Sequence, residues 1–168
     1  AALGLLSESG YQIFLGFFPA RIISLAVLSL SIAIIHRVQG SYDYQRLAGT
    51  LQKLPFALLA LTIALFSISG MPLLGNFSLR FSLFEQLSNT GLIPVVMLLT
   101  GSLLFFSGAL RAISFLSLKV PVDAMRYEGF REISLLSVGT LVLLILGVLP
   151  NTIIPSLFSL LEVFDKLF

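Results

Sequence analysis

Residues 53–80 read KLPFALLALTIALFSISGMPLLGNFSLR, and no charged side chain lies between Lys53 and Arg80. A helix that spans a bilayer needs about 20 mostly apolar residues. This stretch is longer than that, and Ser69-Gly70-Met71-Pro72 interrupts it with residues that break helices. We therefore predict one helix over Pro55–Ser69 and a second from about Leu73 to Leu87.

Long charge-poor runs also lie on both sides of this stretch. Of the 168 residues, 57% are hydrophobic and 11% are charged, whereas a typical soluble domain has about 25% charged residues. The composition predicts an all-α, multi-pass transmembrane helix bundle of about five or six helices, with residues 1–168 forming a single membrane domain. The further helices are expected over Ala1–Phe18 in part, Ala20–Ile35, Leu92–Leu118, Ile133–Leu149 and a shorter piece at Ile153–Phe168.

Composition also excludes several kinds of site. The ten basic and eight acidic residues give a net charge of +2 and do not cluster, so nothing indicates a nucleic-acid partner. The chain has no Cys and a single His, His36, which excludes Cys-ligated clusters and a His-ligated haem pair or zinc site. We therefore expect no catalytic residue, no metal and no cofactor within this chain.

Two polar segments separate the apolar runs, Arg37–Lys53 and Lys119–Glu132. Three predicted helices lie between them, over Pro55–Ser69, Leu73–Leu87 and Leu92–Leu118. An odd number of crossings would put the two segments outside the hydrocarbon on opposite faces of the membrane.

Three charged residues within apolar sequence are candidates for a proton pathway: Arg80, Glu85 and Glu8. A charge at the bilayer centre costs at least roughly 2.5–3.5 kcal/mol, so such residues usually mark a pathway or an ion pair. The alternative for Arg80 is an arginine near a helix end whose head reaches the interface. Glu85 is closer to the polar turn at Ser88–Gly91, which favours an interfacial position, and the depth of Glu8 is open.

The break itself, with Gly70, Pro72 and Gly75, has two interpretations. It is either an ordinary tight turn between two helices or a discontinuous helix, whose unpaired backbone groups must lie against protein or a water-filled cavity. We expect Arg80 to face the protein interior and to donate to carbonyls that the break leaves free. Glu85 lies about 140° from Arg80 around an ideal helix, so a direct pair between them is not expected.

Residues 67–80 resemble the S-x-x-G-x-P-P-x-x-G-F-x-x-K signature of the antiporter-like membrane subunits of respiratory complex I. Further stretches resemble family patterns in the same order along the chain: Leu6–Tyr11, Ile35–Arg37 with Leu47–Gly49 and Leu54-Pro55, Ala109–Arg111, and Leu146–Pro150. The chain resembles the C-terminal part of such a subunit, and the N-type or mitochondrial subunit 2 type most closely.

The resemblance implies a subunit that takes part in proton translocation while partner subunits oxidise NADH or another donor and reduce quinone. Those partners would carry flavin and iron–sulfur clusters, and the chain would assemble with other membrane subunits. The membrane would be a bacterial inner membrane, a mitochondrial inner membrane or a thylakoid. Alternatives are a subunit of a cation/proton antiporter or membrane-bound hydrogenase, and a non-conducting scaffold.

The sequence departs from the family at the relay positions. Arg80 stands where the family has a lysine, and the resemblance implies that this lysine relays protons. An arginine stays protonated where a buried lysine can release its proton. Leu73 and Asn76 stand where the signature has proline and glycine. Ala20 and Ser24 stand where several family members carry His and Lys, and neither residue can titrate.

Overall fold

The computed structural model describes residues 8–40, 49–72, 74, 76–118 and 128–148. They form the helices α1 (Glu8–Gln39), α2 (Thr50–Lys53), α3 (Pro55–Ser69), α4 (Phe77–Thr90), α5 (Leu92–Leu116) and α6 (Phe130–Val148). No strand occurs within these ranges. The prediction of an all-α helix bundle is confirmed.

Helix α3 begins and ends where its local signals predicted. Proline fits the first turn because the amide hydrogen it lacks would have no partner there. At the other end Gly70 takes the left-handed conformation with φ 82°. The amide of Gly70 donates to the Ser67 carbonyl (3.1 Å) and that of Met71 to the Phe66 carbonyl (3.0 Å), the two bonds of a Schellman motif.

Helix α1 corrects the prediction of separate helices over Ala1–Phe18 and Ala20–Ile35. It is a single helix of 32 residues with Pro19 inside it. A proline removes one intrahelical hydrogen bond, but membrane helices tolerate this because neighbouring groups compensate. Smaller differences concern α4, which begins at Phe77 instead of Leu73, and α6, which begins three residues before Ile133.

Helix α3 occupies the centre of the bundle and packs against α1, α5 and α6. Its buried face is lined by the small residues Ala57, Ala60 and Ala64, each at most 1% exposed. Small side chains allow helix backbones to approach closely, and such contacts dominate helix packing in membranes. The described core therefore gathers around α3, with Leu54 and Leu143 fully buried beside it.

Helices α3 and α4 run in the same direction through the bundle. Phe66 of α3 packs on Phe106 of α5, with ring centroids 5.4 Å apart, and Arg80 of α4 donates to Ser102 of α5. Further along α4, the apolar contacts with α5 involve Leu83, Leu87, Val95 and Leu98. As the chain advances, its contacts on α5 move steadily back toward the start of that helix. The two helices are therefore successive parts of one discontinuous pass.

This path overturns the expectation that Arg37–Lys53 and Lys119–Glu132 lie on opposite faces. Arg37, near the end of α1, forms an ion pair with Glu132, near the start of α6. Glu128 accepts a hydrogen bond from the amide of Ala57 in the first turn of α3 (2.9 Å). Both segments thus flank one end of the bundle, here called the acidic-cap end. The prediction was wrong because it counted one broken pass as two crossings.

The described helices make four passes, formed by α1, by α3 with α4, by α5 and by α6. Within the described part of the chain, three helical segments are individually long and apolar enough to span a membrane: Gly16–Gln39, Leu92–Leu116 and Phe130–Val148. Helix α3 has 15 residues, about 22 Å at 1.5 Å per residue, and α4 continues its pass. The predicted helix over Ile153–Phe168 lies outside the described residues, so the total of five or six stays a prediction.

Candidate functional site

The side chain of Arg80 forms hydrogen bonds across the break between α3 and α4. Its Nη1 donates to the carbonyl of Ser69 (2.6 Å) and to Oγ of Ser102 (2.6 Å), and its Nη2 donates to the carbonyl of Ile68 (2.8 Å). The last carbonyls of a helix have no partner within it. Arg80 supplies donors to two of them, in the position expected beside the break, and connects α3 to α5.

The Arg80 side chain lies in the space that a side chain at position 70 would occupy. A Cβ atom on Gly70 would overlap Cδ of Arg80, with Nε and Nη1 also within 3 Å of it. The left-handed φ of Gly70 is itself unfavourable for residues with a side chain. The backbone therefore favours glycine here, and any other residue would have to displace the Arg80 side chain.

Arg80 reaches the middle of the apolar stretch of α5. Its partner Ser102 is ten residues after Leu92, where α5 begins, and nine before Arg111, the first charged residue of that helix. Ten residues of helix span about 15 Å, half of a hydrocarbon core of about 30 Å. The guanidinium, which is partly buried, is therefore held near mid-depth of this pass.

A pocket of about 390 Å³ opens beside this guanidinium between α3, α4 and α5. Its polar groups come from Ser69, Arg80 and Ser102, and its apolar walls include four aromatic rings: Phe77, Phe81, Phe84 and Phe106. The guanidinium therefore borders a space that is apolar over most of its surface.

A buried polar cluster lies on the opposite side of the break, between α1 and α3. Oγ of Ser24 and Oγ of Ser67 are 2.9 Å apart, and Ser24 donates to the carbonyl of Ala20 (2.8 Å). Nδ2 of Asn76 donates to the carbonyl and hydroxyl of Ser67 (3.1 and 3.3 Å). Ser24 and Ser67 are fully buried, and Asn76 is 2% exposed.

The donors and acceptors of this cluster can be assigned in one consistent order. If Ser24 donates to Ala20, the Ser67 hydroxyl donates to Ser24 and receives a bond from Asn76, because each hydroxyl has only one hydrogen. Oδ1 of Asn76 is buried and has no hydrogen-bond partner among the described residues. The cluster is a short chain of neutral hydroxyl and amide groups that ends on an acceptor suited to a water molecule.

Sequence reasoning identified Ser24 and Asn76 only as departures from the family pattern, and it did not predict their contact. The available signal was helical spacing, because Ala20, Ser24, Val27 and Ser31 all lie on the buried face of α1. A buried serine needs a hydrogen-bond partner, which is a carbonyl of its own helix for Ser31 and also a serine across the interface for Ser24.

Among the described residues, Glu85 is not paired with Arg80 at the break, and its side chain is exposed on α4. Pro72 is exposed in the turn that follows Met71. The side chain of Glu8 and the whole of Gly75 lie outside the described residues. Nor do the described parts of the chain contain a group of three or more His, Asp or Glu that could hold a metal ion.

Comparison with known proteins relates the sequence of this chain to one family of membrane proteins. A family model described as "NADH:quinone oxidoreductase/Mrp antiporter, TM" matches residues 4–105, which include the break, Arg80 and the buried polar cluster. The chain is also similar to NADH-quinone oxidoreductase subunit N 2 of Roseiflexus castenholzii (strain DSM 13941 / HLO8), with 27% identity over 139 residues. That match covers 76% of this chain and 26% of the relative. The chain therefore spans about a quarter of the relative's length.

Proposed function

Because the chain belongs to the NADH:quinone oxidoreductase/Mrp antiporter transmembrane family, we propose that it is a membrane subunit of a complex I-like quinone oxidoreductase that takes part in proton translocation. Its partners are other membrane subunits, together with subunits that carry flavin and iron–sulfur clusters. Its membrane is a bacterial inner membrane, a mitochondrial inner membrane or a thylakoid.

The observation that carries this proposal is the discontinuous pass with a guanidinium at its break. Irregular backbone at membrane depth is tolerated only where it is buried in protein or lines a watery cavity, and transporters place such breaks at their ion sites. Here the last carbonyls of α3 meet Arg80 near mid-depth. The break therefore combines backbone polar groups and a fixed charge at the place where a translocated ion meets its largest barrier.

Arg80 acts electrostatically in this proposal and does not relay protons. A guanidinium keeps its charge under essentially all conditions, so it can orient nearby water and oppose the arrival of a proton but cannot release one. The neutral cluster of Ser24, Ser67 and Asn76 lies on the other face of the break and offers hydrogen-bonding groups for water. Proton movement through this chain would depend on water held between these neutral groups.

The test compares three substitutions of Arg80 in the intact complex within sealed membrane vesicles, with the rate of coupled proton translocation as the readout. We expect Arg80→Lys to preserve or improve coupled pumping, because it keeps a donor and a charge. Arg80→Gln keeps a donor to the carbonyls but loses the charge, and Arg80→Leu loses both. Each of these two should lower pumping about tenfold, equivalent to about 1.4 kcal/mol on one barrier.

Arg111→Leu is the matched control, since Arg111 is an exposed arginine on α5 nine residues from Ser102. It should leave pumping unchanged. Normal pumping by a normally assembled Arg80→Leu complex would instead favour a non-conducting scaffold. Purification without flavin or iron–sulfur subunits would favour the cation/proton antiporter that the same family includes.

A further inference from the structure

Helix α3 has a charged partner at each end, and both partners come from other parts of the chain. Residues 55–69 themselves contain no charged side chain. At the start of α3 the carboxylate of Glu128 accepts a hydrogen bond from the amide of Ala57 (2.9 Å). At the other end the guanidinium of Arg80 donates to the last two carbonyls of the helix (2.8 and 2.6 Å). An anion therefore lies at the positive end of the helix dipole and a cation at the negative end.

Glu128 supplies the N-terminal cap that the sequence of α3 lacks. The residue before the helix is Leu54, and α3 has no side-chain cap of its own. A capping side chain normally accepts from the second or third amide of a helix, and Ala57 is the third residue of α3. Glu128 makes this bond from the segment that precedes α6. Because the acceptor is a carboxylate, the bond is stronger than that of a neutral cap.

The capped amide and the carbonyls at the break belong to one unbroken helix. Ala57 and Ser69 are about 18 Å apart along its axis at 1.5 Å per residue. The hydrogen bonds of a helix keep its length nearly constant, so a shift or tilt at the start of α3 also moves its last carbonyls. The bonds from Arg80 depend on where those carbonyls lie, since hydrogen bonds weaken steeply as their geometry worsens. The bond at Ala57 therefore helps to set the geometry of the break.

We propose that Glu128 is a positioning residue for the break: by holding the start of α3, its carboxylate keeps the last carbonyls of that helix against the guanidinium of Arg80. Glu128 does not line the pocket beside this guanidinium and acts through α3. The inference rests on the proposed function, in which Arg80 influences proton translocation electrostatically. It adds a second residue, at the acidic-cap end, on which the same step depends.

The first experiment measures the rate of coupled proton translocation per assembled complex in sealed membrane vesicles. Glu128→Gln keeps an acceptor for the amide of Ala57 but loses the charge, and it should lower the rate about threefold. Glu128→Ala loses both the acceptor and the charge, and it should lower the rate about fivefold.

Glu132→Gln is the matched control, because Glu132 lies at the same end of the bundle but pairs with Arg37 of α1 and not with α3. It should leave the rate per assembled complex unchanged. If Glu128→Gln lowers the rate no more than Glu132→Gln does, the positioning role is wrong.

A double variant separates positioning from a general loss of stability. Substitutions more than about 10 Å apart usually have additive effects. In an Arg80→Leu background there is no guanidinium to position, so Glu128→Gln should cause no further fall in rate. The same fall in both backgrounds would show that Glu128 stabilises α3 without acting through Arg80, which would overturn this inference alone. An unchanged rate in Arg80→Leu itself would instead remove the proposed function, and the positioning role with it.

A second measurement observes the break directly. Met71 is exposed in the turn after α3, and the chain has no cysteine of its own, so a single nitroxide spin label can be attached at position 71 through Met71→Cys. In the assembled complex, Glu128→Gln should shift the spectrum of this label toward a more mobile form, because the end of α3 is held less firmly. Glu132→Gln should not shift it. Identical spectra with and without Glu128→Gln would show that the break does not depend on Glu128.

Discussion

At the scale of single residues, Gly70 and Arg80 depend on each other. The guanidinium closes the end of α3 only because no side chain occupies the space above Gly70. The sequence predicted that Arg80 would meet the freed carbonyls, since a charged donor next to a helix break has few other partners. It did not predict Ser102, because a contact across 22 residues depends on how α4 and α5 are placed and not on any local pattern.

Gly70→Ala should therefore disturb the break through both the backbone and the contact. The left-handed conformation costs an alanine about 1–2 kcal/mol, and the added Cβ displaces Arg80 from the carbonyls of Ile68 and Ser69. We expect a clear loss of thermal stability in detergent. The measurement is the midpoint of thermal unfolding of the purified complex.

Gly40→Ala is the matched control. Gly40 has φ 69°, but no atom lies within 4 Å of the place that a Cβ would occupy, so the substitution has the backbone penalty without the clash. Equal losses for the two variants would show that the contact between Gly70 and Arg80 contributes nothing to stability.

At the scale of helices, the sequence predicted a boundary where a residue has a strong local effect. It did not predict in which direction the chain continues after a break. Pro55 and Gly70 delimit α3 because each has a backbone preference that holds in any context. Pro19 misled the prediction, since the membrane environment and the neighbours of α1 outweigh the loss of one hydrogen bond. The break at residues 70–76 is compatible with either reversal or continuation of the chain, and only the contacts with α5 distinguish the two.

The contact between α1 and α6 is close at Gly139, and its disruption should weaken the bundle. A Cβ at this position would lie 2.6 Å from Cγ2 of Val27, and a β-branched side chain has little freedom to move aside. Gly139→Ala should destabilise the protein by about 1–3 kcal/mol, the range for overpacked cores.

Gly101→Ala provides the comparison for Gly139→Ala, because Gly101 also lies within a helix but has nothing within 4 Å of an added Cβ. It should be neutral or stabilising by up to about 1 kcal/mol through helix propensity. Unfolding of both variants in a graded denaturing detergent would compare them, and equal stability would show that α1 and α6 can separate without loss.

At the scale of the whole molecule, two polar contacts show which helix ends lie together. Arg37 with Glu132, and Glu128 with Ala57, hold the end of α1 and the starts of α3 and α6 together. Composition was sufficient to predict a membrane helix bundle. The number of passes was not predictable, because hydrophobic length alone does not show whether two short helices cross separately or share one crossing.

This path can be tested by labelling, since the chain has no cysteine of its own. Single cysteines at Gly40 and Gly129, both exposed, should react with a membrane-impermeant maleimide from the same side of sealed vesicles. A cysteine at Asn89, exposed near the end of α4, should react only from the other side. Reaction of Gly40 and Gly129 from opposite sides would restore the arrangement with three crossings between them.

The meeting of both polar segments at the acidic-cap end also bears on which way the protein faces. The segments Arg37–Lys53 and Lys119–Glu132 together contain six of the ten basic residues: Arg37, Arg46, Lys53, Lys119, Arg126 and Arg131. The turn at the opposite end, Ser88–Gly91, contains none. Short loops rich in Lys and Arg remain on the side from which a membrane protein is inserted, the positive-inside rule. We therefore expect the acidic-cap end to face the cytoplasm, or the matrix or stroma in an organelle, with the Glu128 and Glu132 contacts formed in that compartment.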